Sequence, residues 1–294
     1  MNASINRPER WTATETPRFV TAGLNYLEPT AARPHSYACE PPPGTPWENC
    51  KYELHPTAIS DARCASEAPC IEREGFALWD APTAVTDFLD VDKIKQVYYR
   101  EAAELALAAT GATQAFVFDH LVRRREHNRA ALTFGRRGND GLAAANGRIH
   151  NDYTEASGRR RLDLAMANPD VAARVKRYSI VNVWRSIKGR VVDTPLAVCD
   201  ARTLTASDLV VSEVRYAHRT GEIYVAHHSP LHRWSYFSEM DRHEALVFKQ
   251  YDSQLSGVAR FTLHTAFDLP DIPPDAPLRE SIELRCLVVY EPCV

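Results

Sequence analysis

Tyr178-Ser179-Ile180-Val181-Asn182-Val183-Trp184-Arg185 opens the part of the chain whose reading decides the fold. Rich in β-branched and aromatic residues and free of Pro and Gly, this run reads as a strand. Seven more short apolar runs follow, separated by turn residues: Leu196–Cys199, Leu209–Arg215, Glu222–Ala226, Trp234–Phe237, Ala245–Tyr251, Arg260–Phe267 and Ser281–Tyr290. Short strands spaced in this way predict a sandwich or a jelly-roll barrel. No internal repeat or linker divides them.

Upstream of Tyr178 the pattern changes. Glu155–Ala165 and Pro169–Arg177 read as short helices, the second with Pro at its first position, where the missing N–H costs nothing. Arg123 to Gly147 reads as an exposed loop. Its Gly135, Gly138 and Gly141 do not follow a strand and open a helix, as a dinucleotide-binding turn must. Ala115–Phe118 is a strand candidate. From Asp90 to Thr110 a helix is predicted, because Val91, Ile94, Val97, Tyr98, Ala102, Leu105 and Ala109 recur at three- and four-residue steps and Gly111 stops them. The first 75 residues, with Pro41-Pro42-Pro43-Gly44, read as an irregular arm of the kind that forms lids. The expectation is one mainly β (α+β) domain over 1–294. It comprises an arm or lid (1–75), a helical flank with the first core strands (76–177) and the main barrel strands (178–294).

Composition narrows the function. The 294 residues carry 35 Lys+Arg against 38 Asp+Glu, a formal charge of −3, so the basic field of a nucleic-acid binder is missing. The Arg triplets Arg123–Arg125 and Arg159–Arg161 are not interleaved with stacking aromatics. No apolar stretch reaches the ~18–20 residues needed to span a bilayer, and Met1–Arg10 has no apolar segment, so a cytoplasmic protein is expected. The seven cysteines are odd in number and form no Cys-x-x-Cys, which predicts reduced thiols rather than a disulfide framework or a zinc knuckle.

The chemistry-bearing segment is Ile149-His150-Asn151-Asp152-Tyr153-Thr154. In an extended strand, residues two apart share a face, so His150 and Asp152 can aim an imidazole and a carboxylate at one metal. His264, in a late strand, is the candidate third ligand. Two histidines and a carboxylate leave coordination positions open, the arrangement that suits non-haem Fe(II) handling O₂. Arg279 and Ser281 alternate onto a common face and form a carboxylate clamp, a charged fork plus one further donor. Asn182 and Trp184 share a face of one strand and could line a pocket or simply pack. Arg233 and Trp234 are candidates for substrate contact, with Arg233 covering an aromatic surface as the alternative. His227, His228 and His232 form a rival metal cluster, against which Ser229-Pro230 argues by disfavouring a helix.

His150-x-Asp152, His264 and Arg279-x-Ser281 together resemble the metal triad and co-substrate clamp of the iron(II)- and 2-oxoglutarate-dependent oxygenases. A narrower likeness rests on Asn182-Val183-Trp184-Arg185, Pro195 to Arg202, His232-Arg233-Trp234, Phe248 to Ser253 and His264-Thr265-Ala266-Phe267. These resemble the branch that holds the cephamycin 7α-hydroxylating component, fungal gibberellin desaturase and the endoperoxide-forming oxygenase of fungal meroterpenoid biosynthesis. Ser186 and Leu263 stand where that branch usually has Pro, and neither is a proposed ligand. The resemblance implies a double-stranded β-helix core, Fe(II) with 2-oxoglutarate and O₂ as co-substrates, and oxidation of a small specialised metabolite. It implies that Arg279 and Ser281 hold 2-oxoglutarate; beside that assignment, alternation offers Asn182 for the co-substrate pocket, and Trp184 and Arg233 are the candidate substrate contacts. It leaves hydroxylation, desaturation and peroxide formation open, and is compatible with a homo- or heterodimer. A 2-oxoglutarate-independent cupin-like metal enzyme and a metal-free ligand-binding or partner β-barrel stand as the alternatives.

Overall fold

The computed structural model describes residues 18–126, 142–166 and 168–290. In chain order its strands are β1 (Phe19–Leu27), β2 (His35–Tyr37), β3 (Tyr52–Asp61), β4 (Phe76–Asp80), β5 (Gln114–Arg124), β6 (His150–Asn151), β7 (Tyr178–Ser186), β8 (Leu196–Cys199), β9 (Leu209–Arg215), β10 (Thr220–Ala226), β11 (Trp234–Tyr236), β12 (Glu244–Asp252), β13 (His264–Ala266) and β14 (Glu280–Val289). They form a nine-stranded sheet in the order β1-β3-β11-β8-β13-β6-β10-β9-β2 and a five-stranded sheet in the order β4-β12-β7-β14-β5. The protein is mostly β, as its run of short strands predicts.

Alternation gives the smaller sheet two different faces. Val181 and Val183 of β7, Ile282, Leu284 and Cys286 of β14 and Val247 of β12 cluster with Tyr98, Ala102, Leu105 and Ala106 of the predicted helix. That helix begins at Asp90, whose side chain accepts from the backbone N–H of Asp92 and Lys93, and ends at left-handed Gly111. Between Val91–Lys93 and Tyr99–Thr110 it makes one π turn, Ile94–Tyr98. With the apolar positions covered by the helix, the intervening residues of β7 and β14, Asn182, Trp184, Ser281, Glu283 and Arg285, turn to the other face. Register pairs Arg285 with Asn182 and Glu283 with Trp184.

Four segments differ from expectation. The N-terminal segment is more regular than its prolines suggest: β1 and β3 pair along nine residues each, from Phe19 opposite Ser60 to Leu27 opposite Tyr52. Pro56 is tolerated because β3 meets β11 at Ile59–Asp61, leaving the Pro56 end with β1 as its only strand partner among the described residues. The run Arg260–Phe267 is a strand only at His264–Ala266. Upstream, the Thr262 N–H goes to the Asn151 side chain and not to a ladder. The helix from Pro169 closes at Arg174, with Val175 already extended as the chain enters β7. β5 reaches Arg124, well beyond Phe118. Gly135, Gly138 and Gly141 lie outside the described residues.

Gly75 joins β4 to the layer behind it. Its φ is 93°, and an added Cβ would meet Thr262 Oγ1 inside contact distance. Its carbonyl accepts from Lys249 N at 2.7 Å and from Thr262 Oγ1 at 3.1 Å. Gly75→Ala is therefore expected to lose at least about 1–3 kcal/mol, read as a melting temperature lower by several degrees; an unchanged Tm would refute the strain.

Candidate metal centre

Two residues of β6 sit between β10 and β13, and the register sets His150 directly opposite His264. The rings lie 4.2 Å apart between centroids, and the ligand atoms of His150, Asp152 and His264 all fall within 4.8 Å of one another. Among the described residues this is the group of His, Cys, Asp and Glu close enough to hold a metal ion.

Each side chain is oriented by a neighbour. His150 Nδ1 lies 2.8 Å from the Arg148 carbonyl, and His264 Nδ1 lies 3.3 Å from the Thr262 carbonyl. A carbonyl can only accept, so these contacts put the proton on Nδ1 and leave the Nε2 lone pair for a metal. Burial lowers the pKa of His150 to about 3, helped by the facing His264, and burial lowers His264 to about 4. Both rings are therefore neutral donors at ordinary pH.

Asp152 carries the negative charge. Burial alone would raise its pKa, but the Arg285 guanidinium and the two imidazoles hold it well below the usual carboxylate range. Its Oδ2 accepts from Asn182 Nδ2 at 2.8 Å and from Arg285 Nε at 3.0 Å. The backbone N–H of Asp152 donates to Gln250 Oε1 at 2.7 Å. Oδ1 is left facing His150 Nε2 at 3.6 Å. Arg285 is in turn held by Asp119 at 2.8 Å and Glu283 at 3.2 Å.

Arg279, just before β14, is 3% exposed, and Ser281 is buried on the same strand face. One Arg279 nitrogen, Nη1, donates to the Thr194 carbonyl at 2.8 Å, and the guanidinium stands 5.7 Å from the Trp184 ring. Arg279 Nε and Ser281 Oγ are both buried without a hydrogen-bond partner. Burial lowers the Arg279 pKa to about 10, still charged at neutral pH. Two orphaned buried donors on one face fit an absent acceptor, and the charge suits a carboxylate.

A cavity of about 690 Å³ opens onto His150 and Asp152, with Arg123 and Arg285 also lining it and Leu164 and Tyr216 on its wall. Trp184 does not line it; it is buried among Phe76, Leu196, Val198 and Phe248. Arg233 is exposed, and its side chain does not reach the cavity. Asn182, expected beside the co-substrate, is turned to Asp152. The rival histidines do not converge on a metal. His232 bonds to Tyr26 at 2.9 Å and to Asp208 at 3.3 Å, His227 to the Leu27 carbonyl, and His228 stacks on His55.

Sequence reading missed Arg285, Gln250 and Arg123. Arg285 carried a signal, since it continues the alternation of Arg279 and Ser281. Gln250 carried none, because a bulge between Lys249 and Tyr251 breaks the period there.

The fold agrees with comparisons to known proteins. Residues 24–289 match a family model described as oxidoreductase/YMDC permease-like domain. The chain is 33% identical over 262 residues to the hydroxylase/desaturase efuI of Hormonema carpetanum, covering 82% of this chain and 85% of that one. It is 28% identical over 265 residues to the Fe(II)/2-oxoglutarate-dependent dioxygenase nvfI of Aspergillus novofumigatus, covering 86% and 89%. The solved structure of the iron and alpha-ketoglutarate-dependent endoperoxidase NvfI superposes with a TM-score of 0.81 at 24% identity, covering 93% of this chain and 99% of that one. The chain belongs to this oxidoreductase family, a branch of the iron(II)- and 2-oxoglutarate-dependent oxygenases built on the double-stranded β-helix.

Arg285→Met is expected to weaken Fe(II) retention roughly 10- to 100-fold, the usual effect of losing a residue that orients a ligand. Anaerobic equilibrium dialysis reads this, with circular dichroism as the check on folding. Native affinity in a folded variant would show that Asp152 needs no such support.

Proposed function

We propose that His150, Asp152 and His264 hold Fe(II), that Arg279 and Ser281 hold the far carboxylate of 2-oxoglutarate, and that the protein oxidises a small specialised metabolite. The observation that carries this reading is the orphaned pair, Arg279 Nε and Ser281 Oγ. Two buried, unpartnered donors on one face, each costing about 1–3 kcal/mol when unsatisfied, call for a carboxylate acceptor, which the far end of 2-oxoglutarate supplies.

When bound, iron and 2-oxoglutarate supply the oxidising power, drawn from O₂, that removes hydrogen from a substrate carbon, with succinate and CO₂ as the products of the keto acid. The chain's own residues supply position. His150 and His264 present neutral nitrogens, and Asp152 presents Oδ1 while Arg285 and Asn182 hold Oδ2. Arg279, desolvated beside Trp184, offers its charge in surroundings that strengthen a pair with a carboxylate. The cavity on the His150–Asp152 side gives a small molecule a place near the metal position, and proximity of a bound C–H is where such a site gains rate.

The chain works as one oxygenase unit in this reading, since β1 and β3 belong to the sheet that carries His150 and His264. No helix among the described residues is long and apolar enough to cross a membrane. The six described cysteines are free, which fits a reducing compartment such as the cytoplasm.

The test is anaerobic titration of the apoprotein with Fe(II) and then 2-oxoglutarate, following the weak visible band formed when a keto acid chelates iron. The band is expected in the native protein and lost in Asp152→Ala. Arg279→Ala is expected to keep iron but raise the Kd for 2-oxoglutarate by about tenfold to a hundredfold, the loss of a charge-assisted bond worth about 1.5–3 kcal/mol. Iron binding without a band would overturn the 2-oxoglutarate assignment.

A further inference from the structure

The cavity beside His150 and Asp152 has a polarity that the metal centre does not account for. One wall is the helix Glu155–Ala165, which turns Ser157, Arg160, Arg161 and Leu164 toward it at the three- and four-residue spacing of a single helix face. The facing wall comes from β9, β10 and the turn between them, including Val214, Tyr216, Arg219 and Ile223.

Five arginines line this space, Arg123, Arg160, Arg161, Arg219 and Arg285, against three acids, Asp119, Asp152 and Glu222. The acids are already engaged. Arg285 holds Asp119 and Asp152, and Glu222 is paired with Arg33 and accepts from Thr154. Arg160, Arg161 and Arg219 have no carboxylate partner among the described residues. Arg161 lies 4.2 Å over the Phe118 ring with Nε buried and unpartnered, and Arg219 lies 3.8 Å over Tyr216. Both guanidinium groups thus sit over aromatic rings beside the cavity. The apolar members are uncovered too: Leu164 is 67% exposed and Tyr216 40%. An arginine with a buried free N–H beside exposed Leu and Tyr fits a ligand with an apolar body and an anionic end.

We propose that the substrate is an apolar scaffold bearing a carboxylate, its ring system against Leu164 and Tyr216 and its acid on Arg161 and Arg219. This rests on the oxygenase reading for the identity of the site and goes beyond it in naming the substrate class. The acid anchors one end of the molecule between the helix and the β9–β10 turn and leaves the apolar body to reach toward His150 and Asp152. Orientation by a charged handle of this kind would select which carbon is presented.

The test uses abietic acid, a tricyclic carboxylic acid, and its neutral primary amide as probes. Because 2-oxoglutarate is itself a dicarboxylate, the Fe(II)-loaded protein is first saturated with it under anaerobic conditions. Equilibrium dialysis then measures each probe. The acid is expected to bind at least tenfold more tightly than the amide. Arg161→Met should abolish that preference and Arg219→Met, at an exposed position, should reduce it severalfold. Arg159→Met, which removes a partner of Asp163 and a residue that does not line the cavity, should leave it intact. Equal binding of acid and amide, binding of neither, or a preference that survives in both Arg161→Met and Arg219→Met overturns the proposal. The visible band formed by Fe(II) and 2-oxoglutarate is read in the same samples. Its absence would sink the oxygenase reading, while the comparison of acid with amide, repeated on the apoprotein, would still judge the cavity.

Discussion

The buried charge on Asp152 is the constraint around which the site is arranged. Asp152 follows directly on β6 in the larger sheet, yet its oxygen is held by Asn182 of β7 and Arg285 of β14, neighbours in register on the smaller one. Gln250, in the β12 bulge, reaches the same segment twice, taking the Asp152 N–H on its side chain and the Asn151 amide on its carbonyl. Three adjacent strands thus fix two residues across the gap between sheets. A slip of one residue in β14 would turn Arg285 to the helix side and leave the carboxylate alone. Breaking a largely buried pair of this kind leaves an uncompensated charge, which makes the registers of β7 and β14 mutually dependent with the centre.

A two-residue strand has too few ladder bonds to place a metal ligand by itself, and β6 receives help from the N-terminus. Ile149 N donates to the Asn25 carbonyl at 3.2 Å, and the Asn25 side chain donates to the Gly147 carbonyl at 2.9 Å. Behind this contact, Leu24, Tyr26, Ile149, Trp234 and Leu263 form one apolar cluster. Within it the Tyr26 hydroxyl is satisfied by Trp234 and His232, with Asp208 beyond. His232, one of the histidines that suggested a second metal site in the sequence, therefore serves this cluster.

The proposed co-substrate clamp and the cavity have opposite surroundings. Arg279 and Ser281 are buried, with the Arg279 guanidinium near Trp184, where an unsatisfied donor is costly and a carboxylate would be gripped strongly. The cavity lined by Arg161, Arg219, Leu164 and Tyr216 is partly exposed, and neither Arg279 nor Ser281 lines it. Of the triad, His150 and Asp152 face this cavity.

Local sequence determined most of the strands from Tyr178 onward, the helix from Asp90 to Gly111 and the spacing of His150 and Asp152, because alternation, capping and periodicity act between near neighbours. It also marked His264, Arg279 and Ser281 as residue types at compatible strand positions. It did not show that Arg285 and Asn182 brace Asp152, that Gln250 sits in a bulge, or that the proline-bearing N-terminal segment pairs as β1 and β3. Nor did it show that Arg233 faces solvent. Those features depend on register between strands far apart in the chain, and register is set by how two sheets and a helix bury their apolar faces together. Only the tertiary structure decides that.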